Sequence, residues 1–255
     1  MVKISANIGF LWADIALPER IERAAAAGFK AVECHFPYEH PADEIASVLS
    51  SNDIQLVGLN TGLGPGGPED FGLAARTGRE AEAKGLIDQA IAYAEATSAT
   101  YVSVTAGRVS GPEATETYQE NLSYACSQAA GSGINVVIEP LSVTAAPGYF
   151  LNTVEQAISI IEAVDAPNMR LMFDCFHTQM DQGSLTERLR RYADKLGHVQ
   201  IASVPDRSEP NSGEINYRHI FTLLDELGYQ GWVGAEYHPV GEVEQGLGWL
   251  KEIVQ

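Results

Sequence analysis

The chain has 255 residues, of which 45% are hydrophobic and 20% are charged, with 16 basic against 34 acidic side chains. This apolar content excludes a disordered or fibrous protein. The net charge of −18 argues against nucleic-acid and membrane-surface partners, because those partners need a basic face. The three cysteines, Cys34, Cys126 and Cys175, have no metal-ligand spacing, so neither a disulfide framework nor a structural zinc site is supported.

The first residues and the apolar runs predict a cytoplasmic protein. Residues 1–7 lack the apolar stretch of a signal peptide. No uninterrupted apolar run approaches the roughly 18 residues that a membrane helix requires. We therefore expect a soluble chain that has no membrane partner.

Short apolar runs rich in β-branched residues recur along the chain, and turn residues and a helical pattern follow each of them. The runs are continuous rather than alternating, which is typical of strands that are covered on both faces. The predicted strands are Lys3–Asn7, Ala31–His35, Gln55–Asn60, Tyr101–Thr105, Asn135–Glu139, Arg170–Asp174, His198–Ile201 and Trp232–Glu236.

Helix boundaries are indicated between these strands. Pro18 stands where a first helical residue is expected, and Thr153 with Gln156 and Ser184 with Glu187 both match the capping box. Glycines between a helix and the next strand are predicted C-caps. These glycines are Gly28, Gly133, Gly197 and Gly228.

Eight β-then-α units in about 250 residues, without a linker, predict an α/β fold, a single (β/α)8 TIM barrel over residues 1–255. The rival is a doubly wound open sheet, but no GxGxxG or GxxxxGK[ST] motif follows the first strand. The glycine-rich stretch Gly62–Gly72 after the third strand is interpreted as an active-site loop or lid, with a plain flexible loop as the alternative.

The active site of such a barrel lies at the C-terminal ends of its strands. Asn7, Glu33 or His35, Asn60 and Thr105 fall there, followed by Glu139, Asp174, Gln200 and Glu236 on strands five to eight. Three carboxylates cannot share a half-buried site unless some protonate or a cation lies between them. With an amide oxygen and no Cys, the set favours Mg²⁺ or Mn²⁺. The alternative for each acid alone is a strand-end or helix cap, which four such residues on adjacent strands disfavour.

Two further side chains are candidates for substrate binding. His177, on the sixth βα loop, could bond a substrate oxygen or orient a carboxylate, and its alternative is packing against neighbouring phenylalanines. Arg207, after strand seven, could bind a carboxylate bidentately. Its alternative is an ion pair with Asp206 or Glu209. His198, at the start of a strand, is interpreted as structural.

Two glutamates beside one divalent ion indicate proton transfer between neighbouring carbons. The ion would hold a carbonyl and the adjacent hydroxyl and stabilise an enediolate. One glutamate would remove a proton from carbon and the other would return it. The outcome is aldose–ketose isomerisation, or epimerisation if the proton returns to the same carbon, and the residues allow both.

Short motifs spread over nearly the whole chain carry a family resemblance. They are Ser-Ala-Asn-Ile (5–8), Phe-Pro-Tyr (36–38), Gly-Arg-Glu (78–80), Ile-Glu-Pro (138–140), His-Val-Gln-Ile-Ala (198–202), Pro-Asp-Arg-Ser-Glu-Pro (205–210), Gly-Glu-Ile-Asn-Tyr (213–217), Gly-Trp-Val-Gly (231–234) and Glu-Tyr (236–237). With these motifs the sequence resembles the hydroxypyruvate isomerase family of the xylose-isomerase-like barrel superfamily. The most specific motif is Gly-Glu-Ile-Asn-Tyr after His-Val-Gln-Ile-Ala.

The resemblance implies a metal-assisted isomerase of a small 2-oxo acid. It implies that Glu139 and Glu236 are the proton donor and acceptor, and that a divalent metal is held at Glu139, Asp174, Gln200 and Glu236. The implied reaction interconverts hydroxypyruvate and 2-hydroxy-3-oxopropanoate (tartronate semialdehyde). A sister group, the 2-oxo-tetronate isomerases, acts on four-carbon analogues, and the segment Val199–Tyr217 resembles that sister slightly more.

Three other functions have less support in the sequence. A phosphodiesterase of the apurinic-endonuclease type would need several zinc-ligating histidines and a basic groove, which the sequence does not supply. A non-catalytic sugar-acid binding protein is disfavoured by the intact metal-site residue types. A dehydratase or sugar epimerase of the same superfamily is the nearest enzymatic rival. Exposed faces of such barrels often pair, so a homo-oligomer is expected.

Overall fold

The computed structural model describes residues 2–253, which form a closed barrel of parallel strands surrounded by helices. The strands are β1 Lys3–Asn7, β2 Ala31–Glu33, β3 Gln55–Leu56, β4 Gly58–Asn60, β5 Tyr101–Ser103, β6 Asn135–Ile138, β7 Met169–Asp174, β8 Leu196–Ile201 and β9 Trp232–Ala235. Their order in the sheet is β3-β2-β1-β9-β8-β7-β6-β5-β4. The domain predicted over residues 1–255 includes residues 1, 254 and 255, which lie outside the described part.

The barrel closes through β3 and β4, which are two parts of one strand separated by Val57. The Val57 N–H donates to the carbonyl of Val32 at 2.7 Å. The Val57 carbonyl accepts the N–H groups of Thr100 and Tyr101 at 2.9 Å and 3.1 Å. This strand therefore pairs with β2 on one side and with β5 on the other. The prediction of a (β/α)8 barrel is confirmed, with the third strand divided into two segments.

Helices alternate with the strands and cover the outside of the barrel. They are α1 Leu17–Ala26, α2 Ala42–Ser51, α3 Glu80–Thr97, α4 Ala114–Ala129, α5 Val154–Val164, α6 Cys175–Asp181, α7 Leu185–Arg191, α8 Tyr217–Glu226, α9 Val243–Gly246 and α10 Trp249–Ile253. Within residues 2–253, none of the helices combines the length and the apolar character needed to cross a membrane.

The predicted helix starts are confirmed in part. The Oγ1 of Thr153 accepts the N–H of Gln156 at 3.1 Å, so α5 begins with the predicted cap. Pro18 is the second residue of α1 rather than the first. The cap predicted at Ser184 is wrong: its φ of 52° is left-handed and its side chain makes no capping bond. An N-cap residue needs an extended backbone, which Ser184 does not have.

One of the four predicted C-cap glycines is in a different position. Gly28, Gly133 and Gly228 follow helices with positive φ, as predicted. Gly197 lies inside β8 instead, where a Cβ would come within 2.5 Å of the Cβ of Arg170. At this position glycine permits close approach between neighbouring strands.

The apolar core has two parts. The larger part packs strands against helices. The smaller part, on the strands, consists of Ala31, Val57, Tyr101, Val137 and Met172, with Trp232 packed against it. Barrel interiors are usually filled by apolar layers. In this barrel, buried polar side chains occupy the strand ends beyond the smaller cluster, which locates the candidate site.

Candidate active site

Buried or nearly buried polar side chains meet at the C-terminal ends of the strands. They are Asn7, Glu33, Glu139, Asp174, Gln200 and Glu236. Asp174 and Gln200 are partners in the register of β7 and β8, so their side chains lie at one level of the barrel. The four residues predicted as metal ligands therefore come together at the barrel mouth.

A cavity of about 220 Å³ opens beside these residues. Charged or ionisable side chains on its surface are His35, Glu139, His177, Arg207 and Glu236. Its aromatic lining is Phe10, Phe36, Phe71 and Tyr149, and its neutral polar lining is Asn60, Ser103 and Thr105. Phe71 belongs to the stretch Gly62–Gly72, so the loop interpreted as an active-site loop does contribute to the cavity.

Both carboxylate oxygens of Glu236 are engaged. Oε1 accepts hydrogen bonds from Asn7 Nδ2 at 3.0 Å and His35 Nε2 at 2.8 Å, and Oε2 accepts from Arg207 Nη2 at 2.8 Å. Burial raises the pKa of Glu236, but Arg207 and His35 outweigh burial and hold this pKa well below its ordinary value. These donors keep Glu236 ionised.

Glu139 has the opposite surroundings. Its Oε1 is buried without a hydrogen-bond partner in the described part of the chain. Burial, together with the charges of Glu236 and Asp174, raises the pKa of Glu139 well above its ordinary value. Two glutamates that face one cavity therefore favour different protonation states, as acid–base pairs do.

The two oxygens of Asp174 have different functions. Oδ1 accepts the backbone N–H groups of Phe176 at 2.6 Å and His177 at 3.4 Å and so caps α6. Oδ2 is buried without a hydrogen-bond partner among residues 2–253. Burial and the charge of Glu236 raise the pKa of Asp174 to about 7. The helix-cap alternative thus accounts for one oxygen and leaves the other free.

Three buried oxygens fit a cation. Within residues 2–253, Oε1 of Glu139, Oδ2 of Asp174 and Oε1 of Gln200 are buried without a hydrogen-bond partner. Such atoms are rare in folded proteins, and a cation would satisfy all three. Ligand atoms of Glu139, Asp174 and His177 lie within 4.8 Å of one another, which makes this a possible metal-binding group. Carboxylate and amide oxygens suit a hard divalent ion.

His177 is better suited to donate a hydrogen bond than to ligate a metal. Its Nδ1 accepts the N–H of Ser142 at 3.2 Å, so the neutral ring carries its proton on Nε2. Burial, with the nearby Arg207 charge, lowers the pKa of His177 to about 3, which keeps the ring neutral. Nε2 is 3.9 Å from Glu139 Oε1 and 3.8 Å from Asp174 Oδ2. A protonated nitrogen cannot bind a metal, so we favour the oxygen of Gln200 as the third ligand.

The loop after β8 fixes Arg207 at the barrel mouth. Its N–H donates to the Ser203 carbonyl at 2.9 Å, and its carbonyl accepts the N–H of His238 at 2.8 Å. Its φ of 52° is left-handed. The guanidinium carbon lies 5.0 Å from the ring centres of both Phe10 and Phe176. These contacts hold the cation between two aromatic rings.

The acidic partner of Arg207 lies across the site rather than on its own loop. Its Nη2 is 2.8 Å from Glu236 Oε2 and 3.7 Å from Asp174 Oδ2. The alternative ion pairs with Asp206 or Glu209 do not form within the described residues. Burial lowers the pKa of Arg207, but Glu236 and Asp174 raise it above its ordinary value. Nε of Arg207 is buried without a partner among residues 2–253.

The connections among the residues below the ligands were not predicted from the sequence. Asn7, Glu33 and His35 were expected at strand ends without an assigned role, and His198 was expected to be structural. In the structure His198 Nε2 lies 2.5 Å from Glu33 Oε2. Burial raises the pKa of Glu33, but His198 and Gln200 outweigh burial and lower it. The Asn7–Glu33 register between β1 and β2 is the signal that could have linked two of these residues.

Comparison with known proteins defines the class. Residues 21–253 match the family described as xylose isomerase-like TIM barrel, and the chain belongs to this family. The 2-oxo-tetronate isomerase of Cupriavidus necator is 40% identical over 255 residues, and the hydroxypyruvate isomerase of Escherichia coli is 35% identical over 254 residues. Each alignment covers 98% of both chains. The resemblance predicted from the motifs is confirmed.

A solved structure that is described as an endonuclease has nearly the same fold. The AP endonuclease, family 2, from Brucella melitensis superposes with a TM-score of 0.96 at 38% identity, and 99% of each chain is covered.

Proposed function

We propose that this protein is a metal-assisted isomerase that interconverts hydroxypyruvate and 2-hydroxy-3-oxopropanoate by proton transfer between neighbouring carbons. The observation that carries the proposal is the pair of glutamates on one cavity, with both oxygens of Glu236 hydrogen-bonded and Glu139 bearing a buried oxygen without a partner in the described range. The names of the relatives support the same reaction class.

The metal site would consist of Glu139, Asp174, Gln200 and Glu236, and the ion would be Mg²⁺ or Mn²⁺. When bound, the ion polarises the substrate carbonyl and offsets the negative charge of the enediolate. The three buried oxygens without partners among residues 2–253 support this ligand set. Oε2 of Glu236 accepts a single hydrogen bond, from Arg207, so it retains a lone pair for the ion.

The two glutamates would move the proton. One of the two would take the C3 proton of hydroxypyruvate, and the other would deliver a proton to C2. Both carboxylates line the cavity, so either can reach a bound substrate. The hydroxyl proton passes from the C3 oxygen to the C2 oxygen, which completes the conversion of the ketone into the aldehyde.

Two hydrogen-bond donors would hold the substrate oxygens. Nε2–H of His177 is too far from Glu139 and Asp174 for a hydrogen bond, and Nε–H of Arg207 is without a partner among residues 2–253. Both residues line the cavity. We assign them to the substrate, with Arg207 contacting its carboxylate.

Proton NMR in D₂O with Mg²⁺ tests the proposal. We expect hydroxypyruvate to give 2-hydroxy-3-oxopropanoate carrying deuterium at C2. Parallel reactions with a 2-oxo-tetronate and with a free ketose identify the preferred substrate, and faster exchange in the ketose would support a sugar epimerase instead. Absence of both product and deuterium uptake contradicts isomerase activity.

The 2-oxo-tetronate isomerase activity is the second candidate, because a relative with that name is 40% identical over nearly the full chain. A phosphodiesterase is less well supported. The net charge of −18 disfavours a nucleic-acid substrate. The cytoplasmic location and the homo-oligomer stay predictions.

A further inference from the structure

A second buried cluster lies next to the proposed metal ligands, and we call it the Glu33 hub. It consists of Glu33 with Asn7, Tyr101, His198 and Gln200, all of them buried. Oε1 of Glu33 accepts Nδ2 of Asn7 at 2.9 Å and Nε2 of Gln200 at 2.8 Å. Oε2 accepts Nε2 of His198 at 2.5 Å and the Tyr101 hydroxyl at 3.2 Å. Each oxygen thus has two donors.

Glu33 determines which end of the Gln200 amide faces the metal site. An ionised carboxylate accepts hydrogen bonds and cannot donate them. The Gln200 amide must therefore turn its NH₂ group toward Glu33. Its oxygen is left on the other side, and this is one of the three buried oxygens without a partner in the described residues. A hard divalent ion binds an amide through oxygen and not through nitrogen.

The hub also reaches Glu236 through Asn7. Nδ2 of Asn7 donates to Glu33 Oε1 at 2.9 Å and to Glu236 Oε1 at 3.0 Å. Oδ1 of Asn7 accepts the N–H of Gly9 at 2.9 Å, which fixes the amide in this orientation. One carboxylate therefore orients an amide on each side of the barrel mouth.

Two strands leave space for the hub. A Cβ on Gly234 would lie 2.4 Å from Oε1 of Glu33, and a Cβ on Gly58 would lie 2.1 Å from the Tyr101 ring. Neither contact is sterically possible without displacement of the neighbouring group. β9 and β4 thus have glycine at the positions where a larger residue would collide with the side chains of the hub. The two glycines indicate that the barrel accommodates the hub specifically.

We propose that Glu33 is a positioning residue that turns the oxygen of the Gln200 amide toward the metal site and braces Glu236 through Asn7. The inference rests on the metal site of the proposed function. Glu33 is not among the residues that line the cavity. Its effect is therefore exerted through Gln200 and Asn7 and not by contact with the substrate.

The first test is the affinity of Glu33→Gln for Mn²⁺, measured from the electron paramagnetic resonance signal of the free ion. In this variant the amide oxygen of residue 33 accepts from His198 and Tyr101. The NH₂ group of the same amide then faces the NH₂ group of Gln200, and two donors cannot form a hydrogen bond. Gln200 then turns its oxygen inward and presents nitrogen to the ion. We expect the Kd for Mn²⁺ to rise about 10- to 100-fold, as for other residues that orient metal ligands.

A double variant supplies the rescue. In Glu33→Gln/Gln200→Glu, the carboxylate at position 200 has two equivalent oxygens, so one can accept from the new amide while the other faces the ion. We expect the Mn²⁺ affinity to return close to the wild-type value. Tyr101→Phe is the matched control, because it removes a donor to Oε2 and leaves both Oε1 contacts in place. We expect it to lower the melting temperature without changing the Mn²⁺ affinity.

The outcomes distinguish a failure of the positioning role of Glu33 from a failure of the metal site. Equal Mn²⁺ affinity in wild type and Glu33→Gln overturns the positioning role. The role is also overturned if the double variant does not recover Mn²⁺ affinity, or if Tyr101→Phe loses as much Mn²⁺ affinity as Glu33→Gln. If Glu33→Gln does not fold, Gly234→Ala displaces the same carboxylate without removing its charge, and unchanged affinity in that variant overturns the proposal. A wild-type protein that binds no Mn²⁺ overturns the metal site itself, together with this inference.

Discussion

The two walls of the cavity differ in charge. The acidic wall, at the ends of β6 and β9, consists of Glu139 and Glu236, and Asp174 and Gln200 lie beside it at the ends of β7 and β8. The neutral wall, at the ends of β4 and β5, consists of Asn60, Ser103 and Thr105. The acidic wall, with the residues beside it, holds buried oxygens without partners in the described residues, whereas Oγ1 of Thr105 is bonded to Oγ1 of Thr61 at 2.9 Å. Under the proposed function, proton transfer and metal binding would take place at the acidic wall, and the neutral wall would add further contacts to the substrate.

Neutralising the acidic wall is expected to have the largest effect. Glu139→Gln and Glu236→Gln each remove one proton carrier, so we expect turnover to fall by about 10²- to 10⁴-fold or more. Product formation followed by NMR measures the loss, and a thermal melt by circular dichroism verifies that the fold survives. Wild-type activity in either variant would refute the two-glutamate mechanism.

Metal removal and pH test the same wall. A chelator is expected to abolish turnover, and added Mg²⁺ or Mn²⁺ to restore it. The raised pKa of Asp174, about 7, means that its protonated form competes with the ion below that pH. Metal affinity should therefore fall as the pH decreases from 8 to 6. A titration of Mn²⁺ at several pH values checks this sign, and an affinity independent of pH contradicts it.

Under the proposed function, Arg207 would provide the cation that an anionic substrate needs in an acidic cavity. In Arg207→Ala we expect KM for hydroxypyruvate to rise at least about tenfold, because a hydrogen bond to a charged group is lost. The dependence of KM on salt should also weaken. Arg190→Ala, on an exposed side chain of α7, is the control and should leave KM unchanged. An unchanged KM in Arg207→Ala rejects this role.

The neutral wall is expected to affect substrate choice more than rate. The side chain of Asn60 lines the cavity opposite the acids and makes no hydrogen bond with other residues of the described range. Asn60→Ala should lower kcat/KM about three- to tenfold for a four-carbon substrate and less for hydroxypyruvate, because the extra hydroxyl loses a neutral hydrogen bond. Competition between the two substrates measures the ratio. Equal losses would show that this wall does not discriminate.

The smallest effect is expected far from both walls and gives a baseline for stability. Thr153→Ala removes the observed cap of α5, so unfolding free energy should fall by about 1 kcal/mol with activity unchanged. Ser184→Ala is the matched control, because Ser184 makes no capping bond. Denaturant unfolding compares the two variants. An equal loss in both would contradict the assignment of the caps.

The fold was predictable because burial on both faces leaves continuous apolar runs in the sequence. All eight predicted strands are present, including Gln55–Asn60, which is interrupted at Val57 by its bonds to both neighbours. The errors are local. Ser184 matches a capping pattern but has a left-handed backbone, and Gly197 lies in a strand where Arg170 packs closely. Both depend on tertiary packing, which a short pattern does not contain.

The candidate ligands were predictable because parallel strands of a barrel end at one mouth, so Glu139 and Glu236 meet although they are far apart in sequence. The Glu33 hub was not predictable in this way. Its central contact joins Glu33 and His198, which are 165 positions apart, and both point into the barrel from different strands. Strand-end position identifies residues that can reach a site, but it does not identify which of them bond to one another.

Asp174 links the proposed metal site to the start of α6, because one of its carboxylate oxygens faces the site and the other caps the helix. Oδ1 holds the amides of Phe176 and His177, while Oδ2 is free to meet an ion. An ion that immobilises this side chain would also immobilise the first turn of α6. Loading with Mg²⁺ should then slow hydrogen exchange of those two amides, so the backbone itself would report whether the site is filled.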